Sequence, residues 1–342
     1  MGTVCDVVPL IGLNRAIVKQ GLKVMKKRKN LGLKTLYDLC KINSQPTTFD
    51  LGFLLGPRIN AGGRVGKSSH GAELLTSEDP LKAYKLAIDL DKFNTERKSI
   101  ELLLAEDVNK QAEKFKNDPV IVLSGNNWHE GIIGIVASRI KDKYNKAVVL
   151  ISLNDQIGKG SARSVFGFDI GANIIQGVQN NILRSGGGHK MAGGFVIEKK
   201  NINLLRNFLH QNFKKTKIST SNAPSLLLDT VIAPSALNED FYNEINSLGP
   251  FGPGNNEPKF MIENIRIISS KIINENLIKS VLCGKDGSVF KCTTWNAQNT
   301  PLEPFLNKNN KKLFNIAGKM KLNEWKGKRN IEFIIEDIST LS

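Results

Sequence analysis

The chain has 342 residues, 40% of them hydrophobic, and a formal net charge of +16. That length supports two or three domains with real cores, and no apolar run approaches the roughly eighteen residues of a membrane span. An excess of positive charge this large favours a polyanionic partner, because phosphate contacts gain from counterion release. Abundant Lys, Asn and Ile equally fit an AT-rich coding bias, which raises charge with no binding role. The N-terminus shows no charged-then-apolar signal segment, so secretion is not expected. Cys5, Cys40, Cys283 and Cys292 lack metal-ligand spacing and read as reduced thiols of a cytoplasmic protein.

In chain order, Thr3–Val8 reads as a β-strand. A basic helix over about 12–29 follows, and residues 11–30 carry Arg15, Lys19, Lys23, Lys26, Lys27, Arg28 and Lys29 with no acidic residue. A second helix is expected near 33–42. The segment LGFLLGPRINAGGRVG, 51–66, is rich in glycine and reads as a loop suited to phosphate. Asp79-Pro80 is a helix start, with an N-cap and Pro at the first position. Apolar residues at three-to-four spacing then predict one long helix, or two abutting ones, to about 116.

Residues 119–198 read as a compact α/β unit. Strands are expected at 119–123, 147–152 and 192–197, and helices at 130–144 and 169–184. A terminal helix covers 201–214, and the polar stretch 215–224 reads as a linker. Beyond it, short β-rich runs at 226–228, 260–262, 265–268, 277–281, 289–294, 313–316 and 331–335 predict an all-β domain, most simply a small barrel. Asp286-Gly287 is a hairpin signal. Cys283 and Cys292 flank it, and small core residues are favoured over a facing pair. No internal repeat is present.

Three segments carry the chemistry. Trp128-His129-Glu130-Gly131-Ile132-Ile133-Gly134 places an indole and an imidazole on a loop before a helix whose positive end suits an anion. There is no second His at i+4, so the HExxH zinc pattern is absent. Gly160–Ser164 offers hydroxyls and a forked guanidinium. Ser185-Gly186-Gly187-Gly188-His189 reads as a loop whose glycines let backbone amides approach a ligand. Together they read as a pocket for a phosphorylated chain end, with Arg58, Asn60 and Arg64 as further anion contacts. Each arginine alone reads as a solvated surface residue, so the case rests on the group. Asp6 is equally a turn residue or a divalent-metal ligand. In the C-terminal domain, Phe251, Phe260, Phe290, Trp295 and Trp325 alternate with lysines. That composition suits stacking of unpaired bases by about two of the five, the others being core.

Seven motifs carry a family resemblance: GTVCDVVPL, LGFLLGPRINAGGR, WHEGIIGIVASRI, GSARS with Phe168-Asp169, SGGGHKMAGGF, LGPFGPGNNEP and LNEWKGKRNIEFIIEDI. In order and over essentially the whole chain, they resemble the bacterial RecJ family of single-stranded-DNA exonucleases, in the DHH phosphoesterase superfamily. The resemblance implies α/β plus all-β architecture. Residues 1–76 would be the end of a DHH domain and 77–117 a connecting helix. Residues 118–216 would be the DHH-associated substrate-binding domain and 222–342 an OB-fold domain for single-stranded DNA. It implies 5′→3′ removal of nucleotides in repair and recombination with Mn²⁺ or Mg²⁺. Asp6 would be a metal ligand, Arg64, Ser161 and Arg163 a clamp on the 5′ phosphate, and His189 a catalytic, substrate-contacting residue. His129, Gly187, Gly188 and Phe251 would be further contacts. The family's earlier aspartate motifs and its Asp-His-His triplet do not occur in this sequence. The chain alone is therefore expected to be a poor catalyst. Two readings stay open: the binding portion of a RecJ-type exonuclease, with a separately encoded DHH half as a candidate partner, or a non-catalytic DNA-binding fragment of a split or decayed gene. A third, a relative degrading short oligonucleotides, has less need of an OB-like domain.

Overall fold

The computed structural model describes residues 1–216, 225–274, 277–297, 300–306, 312–325 and 328–340. Most of the predicted linker at 215–224 lies outside the described residues. Two compact units form. The first comprises Met1–Lys27, Gln45–Gly52 and Asn222–Ser342, and the second Arg28–Ser44 and Phe53–Ser221.

In the first unit, α1 (Gly2–Cys5) replaces the expected N-terminal strand. Among the described residues no strand runs beside it, so its backbone bonds locally: Cys5 N–H donates to Met1 O at 3.1 Å and Asp6 N–H to Gly2 O at 2.8 Å. Helix α2 (Gly12–Lys26) buries Val18 and Leu22 and leaves Lys19, Lys23 and Lys26 exposed. A π-helical turn spans Asp50–Leu55.

The rest of the first unit is a barrel. Its strands are β7 (Phe260–Asn274), β8 (Leu277–Cys283), β9 (Val289–Trp295), β10 (Phe314–Trp325) and β11 (Lys328–Thr340), with β6 (Thr230–Val231) added alongside β7. The sheet order is β10-β11-β9-β8-β7-β6, and β10 also pairs with β7. That last pairing closes the sheet and removes its open edges. Phe260, Ile262, Phe290, Phe314 and Phe333 fill the interior. The two expected runs at 260–262 and 265–268 are one strand, interrupted only by Asn264 in the left-handed region at φ 55°. The run at 226–228 is not a strand.

A helix accompanies the barrel. Helix α10 (Glu239–Ser247) is capped by Asn238, whose side chain accepts from Phe241 N–H at 2.9 Å. Its Phe241, Tyr242 and Ile245 pack on the barrel core. Cys283 stands opposite Val289, and Cys292 opposite Ser280, so the two thiols do not face each other. Burial pushes the Cys292 thiol well up, which leaves it inert.

The second unit starts with α3 (Leu31–Leu39), α4 (Gly56–Val65), α5 (His70–Thr76) and the long α6 (Pro80–Ala112). The Asp79 side chain caps α6, accepting from Leu81 N–H at 2.8 Å. At 33 residues, α6 is about 50 Å long. The expected loop at 51–66 is helical: Pro57 begins α4, and Gly56, Ala61 and Gly62 are buried. The glycines here serve packing, since a Cβ on Gly62 would sit 2.5 Å from Lys67 O.

A five-stranded sheet follows in the order β1-β2-β3-β5-β4. Its strands are β1 (Val120–Asn126), β2 (Ala147–Asn154), β3 (Ile157–Arg163), β4 (Ser185–His189) and β5 (Ala192–Glu198). Only β1 and β2 pair in parallel. Helices α7 (Glu130–Tyr144), α8 (Ile170–Gln179) and α9 (Ile202–Lys215) cover the sheet. Alternate residues of β1 go to opposite faces: Val120 and Val122 pack with Ile174, Leu205 and Leu209, while Ile121 and Leu123 pack with Val108, Ile132 and Val136. Burial on both faces explains why 120–123 and 147–151 are unbroken apolar runs.

Candidate nucleic-acid interface

Two arginine-bearing elements of the second unit, α4 and β3, converge on the start of α7. The turn before that helix is fixed from below. Trp128 is 8% exposed, and its Nε1 donates to Asp107 Oδ2 on α6 at 2.9 Å. His129 is the N-cap residue, and its Nδ1 accepts from Gly131 N–H at 3.2 Å. In the neutral ring that assignment places the proton on Nε2, which is left as a donor. Glu130 is paired with Lys159 at 2.7 Å.

Above this turn lie the predicted anion contacts. Arg64, at the end of α4, donates from Nη1 to Gly131 O at 2.9 Å. Ser161 and Arg163 are two apart on β3, so they share a face of the strand. Arg163 Nη1 donates to Ser161 Oγ at 3.0 Å and to Ala162 O at 2.8 Å. Both side chains lie over Gly134. A Cβ there would sit 2.8 Å from Arg163 Nη2 and 2.9 Å from Ser161 Oγ. The glycine-spaced helix start is therefore the bed on which the guanidinium rests.

The electrostatics are unbalanced. Burial, then the charge of Arg64, lowers the pKa of Arg163. Burial, then the charge of Arg97, lowers that of Arg64, against the pull of Glu101. Both groups stay protonated. Among the described residues, no carboxylate pairs with either. An exposed Arg64 and a half-buried Arg163, neither in a salt bridge among the described residues, form a site suited to an anion.

A second group, absent from the sequence reading, stands behind them. Glu101 is 2% exposed, and its carboxylate binds Arg97 Nη1 at 2.5 Å and also Arg139 Nη2. Arg97 is held as well by Asn94 Oδ1 at 3.1 Å. The sequence signal is the i,i+4 spacing of Arg97 and Glu101.

The other predicted residues divide. Arg58 is committed to the fold: Nε pairs with Asp91 at 2.7 Å and Nη1 donates to Leu54 O at 2.8 Å. Six residues apart on one helix, Arg58 and Arg64 point about 120° apart. Asn60 is exposed and lies one turn before Arg64, on the same face. Ser185–His189 is strand β4 rather than a loop, held by its ladder to β5. Two of its three glycines have packing reasons. A Cβ on Gly186 would meet Ile174 at 2.7 Å, and one on Gly188 would meet Ala192 O at 2.4 Å. Gly187 alone faces open space. His189 is exposed, its Nδ1 accepting from Met191 N–H at 3.3 Å. It aligns across the sheet with Ala192, which aligns in turn with Arg163.

Asp6 and Phe251 belong to the first unit. Asp6 is an exposed residue closing α1. Among the described residues, no three of His, Cys, Asp and Glu gather where they could hold a metal ion. A hard divalent cation takes six or more oxygens, of which one carboxylate gives at most two. The described side chains therefore do not fit a Mn²⁺ or Mg²⁺ centre, and no chemical step is derived through one. Phe251 does not stand free: it is half-buried against the barrel core. Its loop is pinned by Thr48 Oγ1 donating to Phe251 O at 2.8 Å and Leu10 N–H donating to Pro253 O at 2.6 Å. Phe260 and Phe290 are core, and Trp295 is 52% exposed. The side chain of Trp325 lies outside the described residues.

Comparison with known proteins agrees with this layout. A family model described as the DHHA1 domain matches residues 117–215, and one described as the RecJ OB domain matches 228–337. The "single-stranded-DNA-specific exonuclease RecJ" of Haemophilus influenzae is 33% identical over all of this chain and 61% of the relative. That of Bacillus subtilis is 29% identical over 98% of this chain and 43% of the relative. The chain thus spans about half the length of the curated relatives it matches. The crystal structure of RecJ in complex with Mn²⁺ from Thermus thermophilus matches with a TM-score of 0.83 at 26% identity, covering 100% of this chain and 49% of that one. Another, of exonuclease RecJ bound to manganese, matches 63% of this chain and 53% of that one with a TM-score of 0.54 at 29% identity. Two domain matches in the family's order, together with similarity along the whole chain, make the chain similar to the RecJ family from end to end.

Proposed function

We propose that the chain binds the 5′-phosphorylated end of single-stranded DNA, as part of a 5′→3′ exonuclease of DNA repair and recombination. The observation that carries this reading is the pair Arg64 and Arg163, one exposed and one half-buried, both seated at the start of α7 and without a salt-bridge partner among the described residues. A terminal phosphate carries nearly two charges at neutral pH, an internal diester one. Such an anion would replace like-charge repulsion with charge-assisted hydrogen bonds. Ser161 accepts from Arg163, so its own proton is free for a phosphate oxygen. His129 Nε2–H is a further donor nearby. Gripping the terminal phosphate fixes which end of the strand is presented. The OB barrel offers exposed Trp295 as a separate stacking surface for unpaired bases.

Hydrolysis in this reading needs metal ligands beyond Asp6. We assign them to a DHH catalytic domain acting with these 342 residues, which by themselves bind without cutting. Two measurements on the 342-residue chain test this. Affinity for 5′-phosphorylated single strands should exceed that for unphosphorylated ones, and Arg163→Ala should remove the difference. Equal affinities in the unmodified protein would sink the clamp. Release of mononucleotides with Mn²⁺, abolished by Asp6→Ala, would instead make the chain a self-sufficient nuclease.

A further inference from the structure

Phe166 is 94% exposed, an unusual position for a phenylalanine. It sits three residues after Arg163, at the tip of the turn leading from β3 to α8. The turn is rigid at its base. Phe168 N–H donates to Val165 O at 3.3 Å, and Gly167 lies at φ 91°, the signature of a type II turn with Phe166 at its second position. On one side Ser164 is fully buried, with its hydroxyl donating to Phe168 O at 2.6 Å and its N–H to Met191 O at 2.9 Å. On the other, Phe168 is 1% exposed and packs on Phe213 at 5.1 Å between ring centroids. Two buried anchors thus flank one ring held out in solvent.

The placement is as specific as the exposure. Three residues of chain reach at most about 10 Å, so the ring stands within about a nucleotide or two of the Arg163 backbone. The bond from Ser164 to Met191 O ties the turn to the tip of the β4–β5 hairpin, where His189 and Met191 are exposed. Arg163, Ala192 and His189 stand in cross-strand register. One corner of the sheet therefore carries a cation, an imidazole, a thioether and an exposed aromatic face.

We propose that Phe166 is a stacking platform for one of the first bases at the 5′ end of the bound strand. The inference rests on the reading of Arg64, Ser161 and Arg163 as the clamp on the terminal phosphate. A phenyl ring has no hydrogen-bonding group, so the platform accepts any base, as an enzyme that degrades strands of arbitrary sequence requires. The fixed turn means that little ordering accompanies stacking, which favours affinity.

The test is a thermodynamic cycle on the full chain. Phe166→Ala should weaken binding of a 5′-phosphorylated single strand roughly tenfold, the expected loss of one base–aromatic stack. Phe166→Trp should restore it, and the melting temperature should not move, because the ring buries almost nothing. Strands with a single abasic position, scanned from the 5′ end, then locate the base. At one of the first two positions the unmodified chain and Phe166→Ala should bind equally, whereas further along the tenfold difference should persist. Unchanged affinity in Phe166→Ala overturns the proposal. So does a loss indifferent to the abasic position, which would make this face a contact for something other than a base. Failure of the clamp reads differently: phosphorylated and unphosphorylated strands would bind alike, whatever residue stands at 166.

Discussion

Two pairs of arginines in the second unit show how the same side chain serves stability or binding. Arg97 and Arg139 share the buried carboxylate of Glu101. Arg64 and Arg163 have a glycine bed, a serine hydroxyl and backbone carbonyls, and neither forms a salt bridge among the described residues. A fold that needs only to keep its cations brings acids to them. In the proposed reading, the two without a salt bridge are left for an anion.

The sharpest break of this contrast is Glu101→Leu. It strands Arg97 and Arg139 without their counter-charge and should cost about 3–5 kcal/mol in urea or thermal unfolding. A loss under about 1 kcal/mol would mean that the carboxylate is not holding the arginines. Removing the unpaired guanidiniums, in Arg64→Ala with Arg163→Ala, should do the reverse. Stability should change little or rise as repulsion is relieved. Discrimination in favour of a 5′ phosphate should fall by about 1.5–3 kcal/mol in a binding titration. Gly134→Ala probes the bed. Alanine favours the helix by about 1 kcal/mol, yet its methyl would occupy the space of Arg163 Nη2. A folded, no less stable protein with phosphate preference reduced roughly tenfold is the expected result (~1.4 kcal/mol). Unaltered preference would show that Arg163 can act from elsewhere.

The smallest effect comes from a third carboxylate, on the barrel. Burial pushes Glu332 up, but the amide of Asn323 and hydroxyl of Thr293, with Lys279 and Lys291, outweigh it and hold the group below the usual range. A depressed folded value stabilises above the unfolded pKa, about 4.3, and that contribution is lost as pH falls through the folded value. Glu332→Gln should therefore be less stable at pH 7, by under about 1 kcal/mol, and the gap should close in acid. A gap that widened on acidification would reverse the assignment.

Much of this is legible in the sequence. The α/β unit, the long helix with its Asp79-Pro80 start and the barrel follow from periodicity and caps, whereas the grouping of Arg64 with Ser161 and Arg163 is what the family resemblance implies. The failures share a cause. PRINAGGR and SGGGH read as loops because glycine weakens both helix and strand propensity. Here it instead admits close approach, of Lys67 O to Gly62 and of Ala192 O to Gly188, and the neighbouring elements complete the backbone bonding. Thr3–Val8 misleads for the opposite reason, since its strand propensity finds no partner strand among the described residues. Asn238, Glu239 and Asp240 do announce α10, but the surrounding β-rich runs obscure it. The Glu101 group needs the fold, because Arg139 approaches it from a different helix.

The buried indole of Trp128 has a practical consequence. It is the only tryptophan of the second unit, shielded between α6 and the sheet, whereas Trp295 of the first unit is open to water. Indole emission shifts to the red on exposure, so of these two the bluer emission belongs to the segment that seats Arg64 and Arg163. A Trp295→Phe, Trp325→Phe variant would carry a single built-in optical reporter there. Folding of the clamp could then be followed in the intact chain, with no attached label and no signal from the barrel.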